Sequence, residues 1–133
     1  GAPSIPGVQG RSWVRMVREG DPAWRTSWFY EYNYEKQFPY TPNVRALRTD
    51  RWKFIRYPHG DGGADRHPEE LYDLASDPEE TRNLAALDSH RDTVVAMRGE
   101  LLQRMAEGGL TPARDKMPLD EGVKKELPDQ KIR

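Results

Sequence analysis

Hydrophobic and polar positions divide this chain into stretches of different period. Trp28 to Glu35, "WFYEYNYE", is rich in aromatic residues of high strand propensity, and the following "FPYTPN" leaves the strand because Pro39 and Pro42 cannot sit in a regular strand interior. Next, "NVRALRT" and "RWKFIRYP" flank a short polar turn, the pattern of an antiparallel hairpin. With Asp50 and Arg51 as the turn, Leu47 faces Phe54, Ala46 faces Ile55, and Arg48 faces Lys53, a repulsive pair unless an acid intervenes. "PHGDGGADRHPE" reads as a loop with three Gly and two Pro. "ELYDL" is a short strand closed by "ASDPEE", where Asp77-Pro78 favours a turn.

From Ser89 the period becomes helical. Val94, Met97, Leu101 and Met105 recur on one face, Val95 and Leu102 widen the stripe, and Ser89 with Asp92 resembles a capping box. Arg98 projects into this arc and must snorkel or find a partner, while Gly99 costs about 1 kcal/mol against Ala. Gly108-Gly109 ends the helix. The expected fold is α+β: a small antiparallel sheet of three to four strands packed against one C-terminal amphipathic helix, with extended terminal segments. Residues 1–23 read as a linker with one helical turn, 24–107 as the folded unit, and 108–133, which lacks periodicity, as an extended or disordered tail.

Composition limits what such a unit can do. At 133 residues the chain is one domain in size, and 35% hydrophobic against 32% charged residues makes a small core. The 21 basic and 22 acidic residues nearly cancel, so no overall field draws the molecule to nucleic acid or an anionic membrane. No apolar run approaches the ~18 residues of a membrane helix, and no signal-peptide order opens the chain. The absence of Cys excludes disulfides, thiolate metal sites and a Cys nucleophile in these residues. The opening "GAPSIPGVQGRS" has no Met, as expected of a piece of a longer chain.

Candidate chemistry is sparse. His59, His67 and His90 are too scattered for a metal triad. "DGGAD", Asp61 to Asp65, lacks the alternating ligands and the acidic twelfth position of an EF-hand loop. No Ser lies in G-x-S-x-G, and the glycines form no nucleotide cradle. The basic and aromatic hairpin allows two readings. Arg45, Arg48, Arg51, Lys53 and Arg56 beside Trp52, Phe54 and Tyr57 can offer guanidinium groups to sulfate or phosphate and rings for stacking. Alternatively, they are an outer strand face whose charges pair with acids of "ELYDL" and "DPEE".

The order "FYEYNYEKQFPYTPNVRALRTDRWKFIRYP", then "EELYDLASDPEETRNLA", resembles the C-terminal subdomain of the formylglycine-dependent sulfatases, of arylsulfatase or N-sulfoglucosamine sulfohydrolase type. The matching elements are Glu31-Tyr32, Arg45 to Ile55, Glu70 to Leu84 and the helix from about Ser89, and "GAPSIPGVQGRS" is similar to the segment that joins the family's catalytic domain to this subdomain. The resemblance thus runs from Gly1 to about Glu107. It implies hydrolysis of sulfate esters, on sulfated carbohydrate, by a protein of which this part is structural and substrate-selecting.

The same resemblance says what lies elsewhere. The family's nucleophile is a formylglycine matured from C/S-x-P-x-R, and its calcium carboxylates belong to the catalytic domain. The nearest string here, "LTPAR", has Leu110 at the position to be oxidised, so no catalytic or metal residue is expected in this chain. Implied partners are the catalytic domain of the same parent chain and a sulfated carbohydrate, without nucleic acid or membrane, and the implied location is periplasmic or secreted. Family loops of this subdomain reach the pocket mouth; the corresponding residues here are Lys36, Tyr40, Asn43, Arg45 and His59. A free-standing module binding sulfated glycans or other polyanions is the alternative.

Overall fold

A computed structural model of the protein describes residues 6–8, 10–20, 24–35, 37–38, 41–60, 63, 65, 67–117 and 119. Lys36 and Tyr40, most of "DGGAD" and the end of the tail lie outside the described residues. A short helix α1 (Val14–Glu19) precedes four strands, β1 (Ser27–Tyr32), β2 (Val44–Thr49), β3 (Trp52–Arg56) and β4 (Glu70–Asp73), and a long helix α2 (Arg91–Glu107) follows. The strands form one antiparallel sheet in the order β1-β2-β3-β4. This is the expected α+β architecture with four strands.

The hairpin register is the expected one. Leu47 pairs with Phe54, Ala46 with Ile55 and Arg48 with Lys53. The cationic pair is relieved from both sides: Lys53 forms an ion pair with Glu80, and the Arg48 guanidinium lies 5.2 Å from the centre of the Trp28 ring. Thr49 closes the turn, its hydroxyl accepting from the Trp52 amide at 2.8 Å.

Because strand side chains alternate, Phe29, Leu47, Phe54 and Leu71 share one face. Leu47, Phe54 and Leu71 have no exposed surface. They meet Val94, Met97, Leu101 and Met105 of α2, with Leu84 from the connecting loop. Each such side chain contributes about 1.5–3 kcal/mol by leaving water. Val95 and Leu102 do not extend this core as the stripe predicts: both are exposed, because the sheet meets only the narrow arc centred on the other four.

Polar contacts fix the helix on the sheet. The Ser27 hydroxyl donates to Glu100 at 2.6 Å and accepts from Arg104 Nε at 3.1 Å, while Arg98 finds its partner in Glu69. The start of α2 departs from the capping-box expectation. A 3-10 turn, Asp88–His90, leads into it, His90 occupies the cap without a side-chain bond, and the Ser89 hydroxyl contacts His90 Nδ1 at 2.9 Å. Ser89 lies within that extra turn, too early to cap α2. At the other end α2 stops at Glu107, and Gly109 reverses the chain with φ +83°.

Between β4 and α2 the loop is held by its own acids and amides. Asp77 accepts from the Thr81 and Arg82 amides at 3.1 and 2.9 Å, carrying Glu80 through a left-handed conformation at φ 56°. Asn83 accepts from the Leu71 and Ala85 amides and donates to the Glu69 carbonyl. The side chain thereby extends the edge of β4 where, among the described residues, no fifth strand is paired.

Candidate functional site

Two surfaces of this fold have chemistry to offer, and the strand directions place them. In a β1-β2-β3-β4 meander the β1–β2 and β3–β4 connections leave the same end of the sheet. The β1–β2 loop, with Asn43 at its end, and the β3–β4 loop, with His59, are therefore neighbours at that end. Asn43 is fully buried there and accepts the Tyr34 amide at 2.7 Å, drawing the two ends of the β1–β2 loop together.

Arg45, next along, is 2% exposed. It shares the parity of Leu47 and so points to the core side of the sheet, where its guanidinium is enclosed by acceptors. Nη1 donates to the carbonyls of Tyr32 and Val44 at 3.2 and 2.9 Å; Nη2 donates to Asn33 Oδ1 at 2.8 Å and to Asp115 Oδ1 at 2.6 Å. Asn43 and Arg45 are thus held by the chain's own groups. His59 is also buried, and lines a cleft of about 470 Å³ with Arg56, Gly60, Met105, Asp115 and Met117. Asp115 and Met117 reach both Arg45 and the His59 cleft, so two of the five expected site residues meet around one short segment. Neither Asp115 nor Met117 was signalled by the sequence, which shows no period beyond Gly109.

The second surface is the sheet face turned away from α2. Trp28 and Tyr30 of β1 lie on it, 43% and 54% exposed, and with Val44, Ala46, Arg48, Lys53 and Ile55 they form a groove of about 340 Å³. Farther across, Tyr57 and Tyr72 both donate to Glu70, each at 2.6 Å, one to each carboxylate oxygen. Burial first, and then the bond to Glu70, raises the Tyr57 phenol well above its ordinary range. For Tyr72 the bond to Glu70 comes first and burial second, and the phenol is pushed up to about 12. An aromatic face of this kind on a sheet is rarely left in water.

The hairpin cations are largely paired with acids, and for Arg51 and Lys53 these are acids of "ELYDL" and "DPEE", as the second reading of the sequence had it. Arg51 makes a two-pronged bond to Asp73, Lys53 meets Glu80, Arg56 meets Asp65 at 3.0 Å, and Arg45 meets Asp115. The Arg51 bond holds the Asp73 carboxyl below the usual carboxylate range. Among the described residues no group of three His, Cys, Asp or Glu side chains is placed to hold a metal ion. No helix of the described residues is long and apolar enough to cross a membrane.

Known proteins share this sheet and helix. Among solved structures, BT4656, in complex with its substrate D-glucosamine-2-N,6-O-disulfate, is 20% identical with a TM-score of 0.70, aligned over 86% of this chain and 23% of its own. BT1596, a 2-O GAG sulfatase, is 22% identical with a TM-score of 0.68, over 88% of this chain and 24% of its own. The phosphonate monoester hydrolase of Agrobacterium radiobacter is 27% identical with a TM-score of 0.58, over 74% and 21%. The chain therefore spans less than a quarter of each of these proteins. No curated relative matches it. The family model described as "N-sulphoglucosamine sulphohydrolase, C-terminal" matches residues 2–107, four strands and α2 included, and the chain belongs to that family of sulfatase C-terminal domains.

Proposed function

We propose that this chain serves as the C-terminal portion of a sulfatase acting on sulfated carbohydrate, joined to a catalytic portion that supplies the formylglycine nucleophile and the calcium site. The observation that carries the proposal is the uncovered aromatic face of the sheet in a chain whose family match runs from residue 2 to 107. In this reading the Trp28 and Tyr30 face docks on the catalytic portion, which removes its apolar surface from water. The substrate complex of BT4656 supports carbohydrate as the substrate class.

Docking by one face leaves the loop end free to reach a pocket mouth. Lys36 and Tyr40 of the β1–β2 loop and His59 of the β3–β4 loop then meet the sulfated sugar, through a charge-assisted bond, ring stacking and a hydrogen bond. Asn43 and Arg45 act from inside the wall, holding the loop that carries Lys36 and Tyr40. Chemistry at sulfur stays with the catalytic portion. Selection among sulfated sugars is the part assigned here.

The test is a comparison of substrates in the parent sulfatase. Lys36→Ala and Tyr40→Ala should lower kcat/KM for sulfated saccharides while sparing a small aryl sulfate, whose ring does not reach the wall. Equal losses on both substrates, or no loss on either, would remove these residues from the substrate site.

A further inference from the structure

The segment after α2 lies beyond residue 107, where the family match ends, yet it closes the loop end of the sheet. Its path is set locally. The Leu110 amide donates to the Met105 carbonyl at 2.8 Å, and the Arg114 and Asp115 amides both donate to the Thr111 carbonyl at 2.8 Å. This turn carries the Asp115 carboxylate back onto Arg45. A guanidinium as buried as Arg45 is costly without a counter-charge, and among its described contacts Asp115 is the carboxylate. Other N–H groups of the same guanidinium, on Nη1 and Nη2, hold Tyr32 and Asn33 at the exit of β1 and Val44 at the entry of β2. On its other side the segment presents Leu110, Pro112, Asp115 and Met117 to the cleft that contains Pro58, His59 and Gly60. One carboxylate thus joins both loops.

We propose that Leu110 to Met117 form a strap whose Asp115 carboxylate, seated on the buried Arg45 guanidinium, positions the β1–β2 and β3–β4 loops and sets the width of the cleft beside His59. Asp115 and Arg45 are positioning residues: they act through the loops. The pair is enclosed, so salt screens it little. The geometry of the strap stands by itself; only its consequence for substrate choice rests on the function proposed above.

The experiment is amide hydrogen exchange on the 133-residue chain carrying Asp115→Ala, Asp115→Asn or Asp115→Glu. The Tyr34 amide, bonded to Asn43, reports the β1–β2 loop, and the amides of Leu47 and Phe54, paired between β2 and β3, report the sheet centre. Ala and Asn should speed exchange at Tyr34 by about tenfold or more and leave Leu47 and Phe54 within about twofold. Glu should retain protection, and added formate, which fits the space left by the Ala variant, should restore it where chloride at equal ionic strength does not. Unchanged exchange at Tyr34, an equal rise throughout the sheet, or equal action of formate and chloride would overturn the strap. Where the Ala variant does not fold, Asn and Glu carry the comparison. Failure of the chain's parent enzyme to discriminate sulfated sugars bears on the substrate reading and leaves these exchange results intact.

Discussion

Replacing Trp28 and Tyr30 together by Ser separates the stability of this fold from that of its docking. Both rings stand on the sheet face opposite α2 with about half of their surface in water, 43% for Trp28 and 54% for Tyr30. Large aromatic residues bury about 150–250 Å² each when covered, so completing the cover removes roughly 200 Å² from water. At about 25 cal/mol per Å² this is worth up to about 5 kcal/mol in the docked protein. In the chain by itself that area stays hydrated, and the substitution gives up the half of each ring already packed on the sheet, with strand propensity and the Arg48 stacking on Trp28, losses that the docked protein shares. Urea unfolding of the chain alone should therefore show only this shared loss. The same double variant in a parent chain with its catalytic portion should lose several kcal/mol more, or unfold in two steps where the parent unfolds in one. Equal losses in the two contexts would refute the reasoning, since the face would then gain nothing from a cover.

Three further outcomes test the packing and the charges. Leu101→Ala, at the centre of the helix and sheet core, should cost about 2–5 kcal/mol, measured by urea unfolding, whereas Leu102→Ala on the exposed side should stay within about 1 kcal/mol. Tyr57 and Tyr72, whose phenols are raised in the folded state by burial and by Glu70, contribute stability that is full below about pH 10 and declines as pH rises toward 12; phenolate absorbance should show two late-titrating tyrosines, and Glu70→Gln should bring them earlier. Asp73, held low by Arg51, contributes stability present above the ordinary carboxylate range and lost as pH falls through its depressed value, so Arg51→Met should flatten the acid side of a stability profile.

The parts of this fold that follow from local pattern were legible in the sequence. Alternation with a polar turn at Asp50 and Arg51 fixes the β2–β3 register, because a slip of one residue would turn Leu47 and Phe54 into water. Helical spacing likewise finds Val94, Met97, Leu101 and Met105. Where the reading went astray, a neighbour in space decides. Val95 and Leu102 fit a wider stripe, but four narrow strands cover only one arc of α2. Tyr34, read as part of the aromatic strand, lies beyond the end of β1, buried and tied to Asn43.

Arg45 shows where a signal was present and its meaning was not. Its parity with Leu47 places it on the core side, and a cation there requires an acid. The acid is Asp115, 70 residues away in a stretch without period, which no spacing rule identifies. The loop residues Lys36 and Tyr40 came from resemblance alone.

The central claim, that the Trp28 and Tyr30 face is an internal surface of a sulfatase, is tested most directly by hydroxyl-radical footprinting of those two rings in the chain alone and in a parent chain with its catalytic portion. The account predicts strong labelling of both in the chain alone and a loss of about tenfold in the parent, as expected when an aromatic face passes from half-exposed to covered. Equal labelling in the two proteins would contradict it.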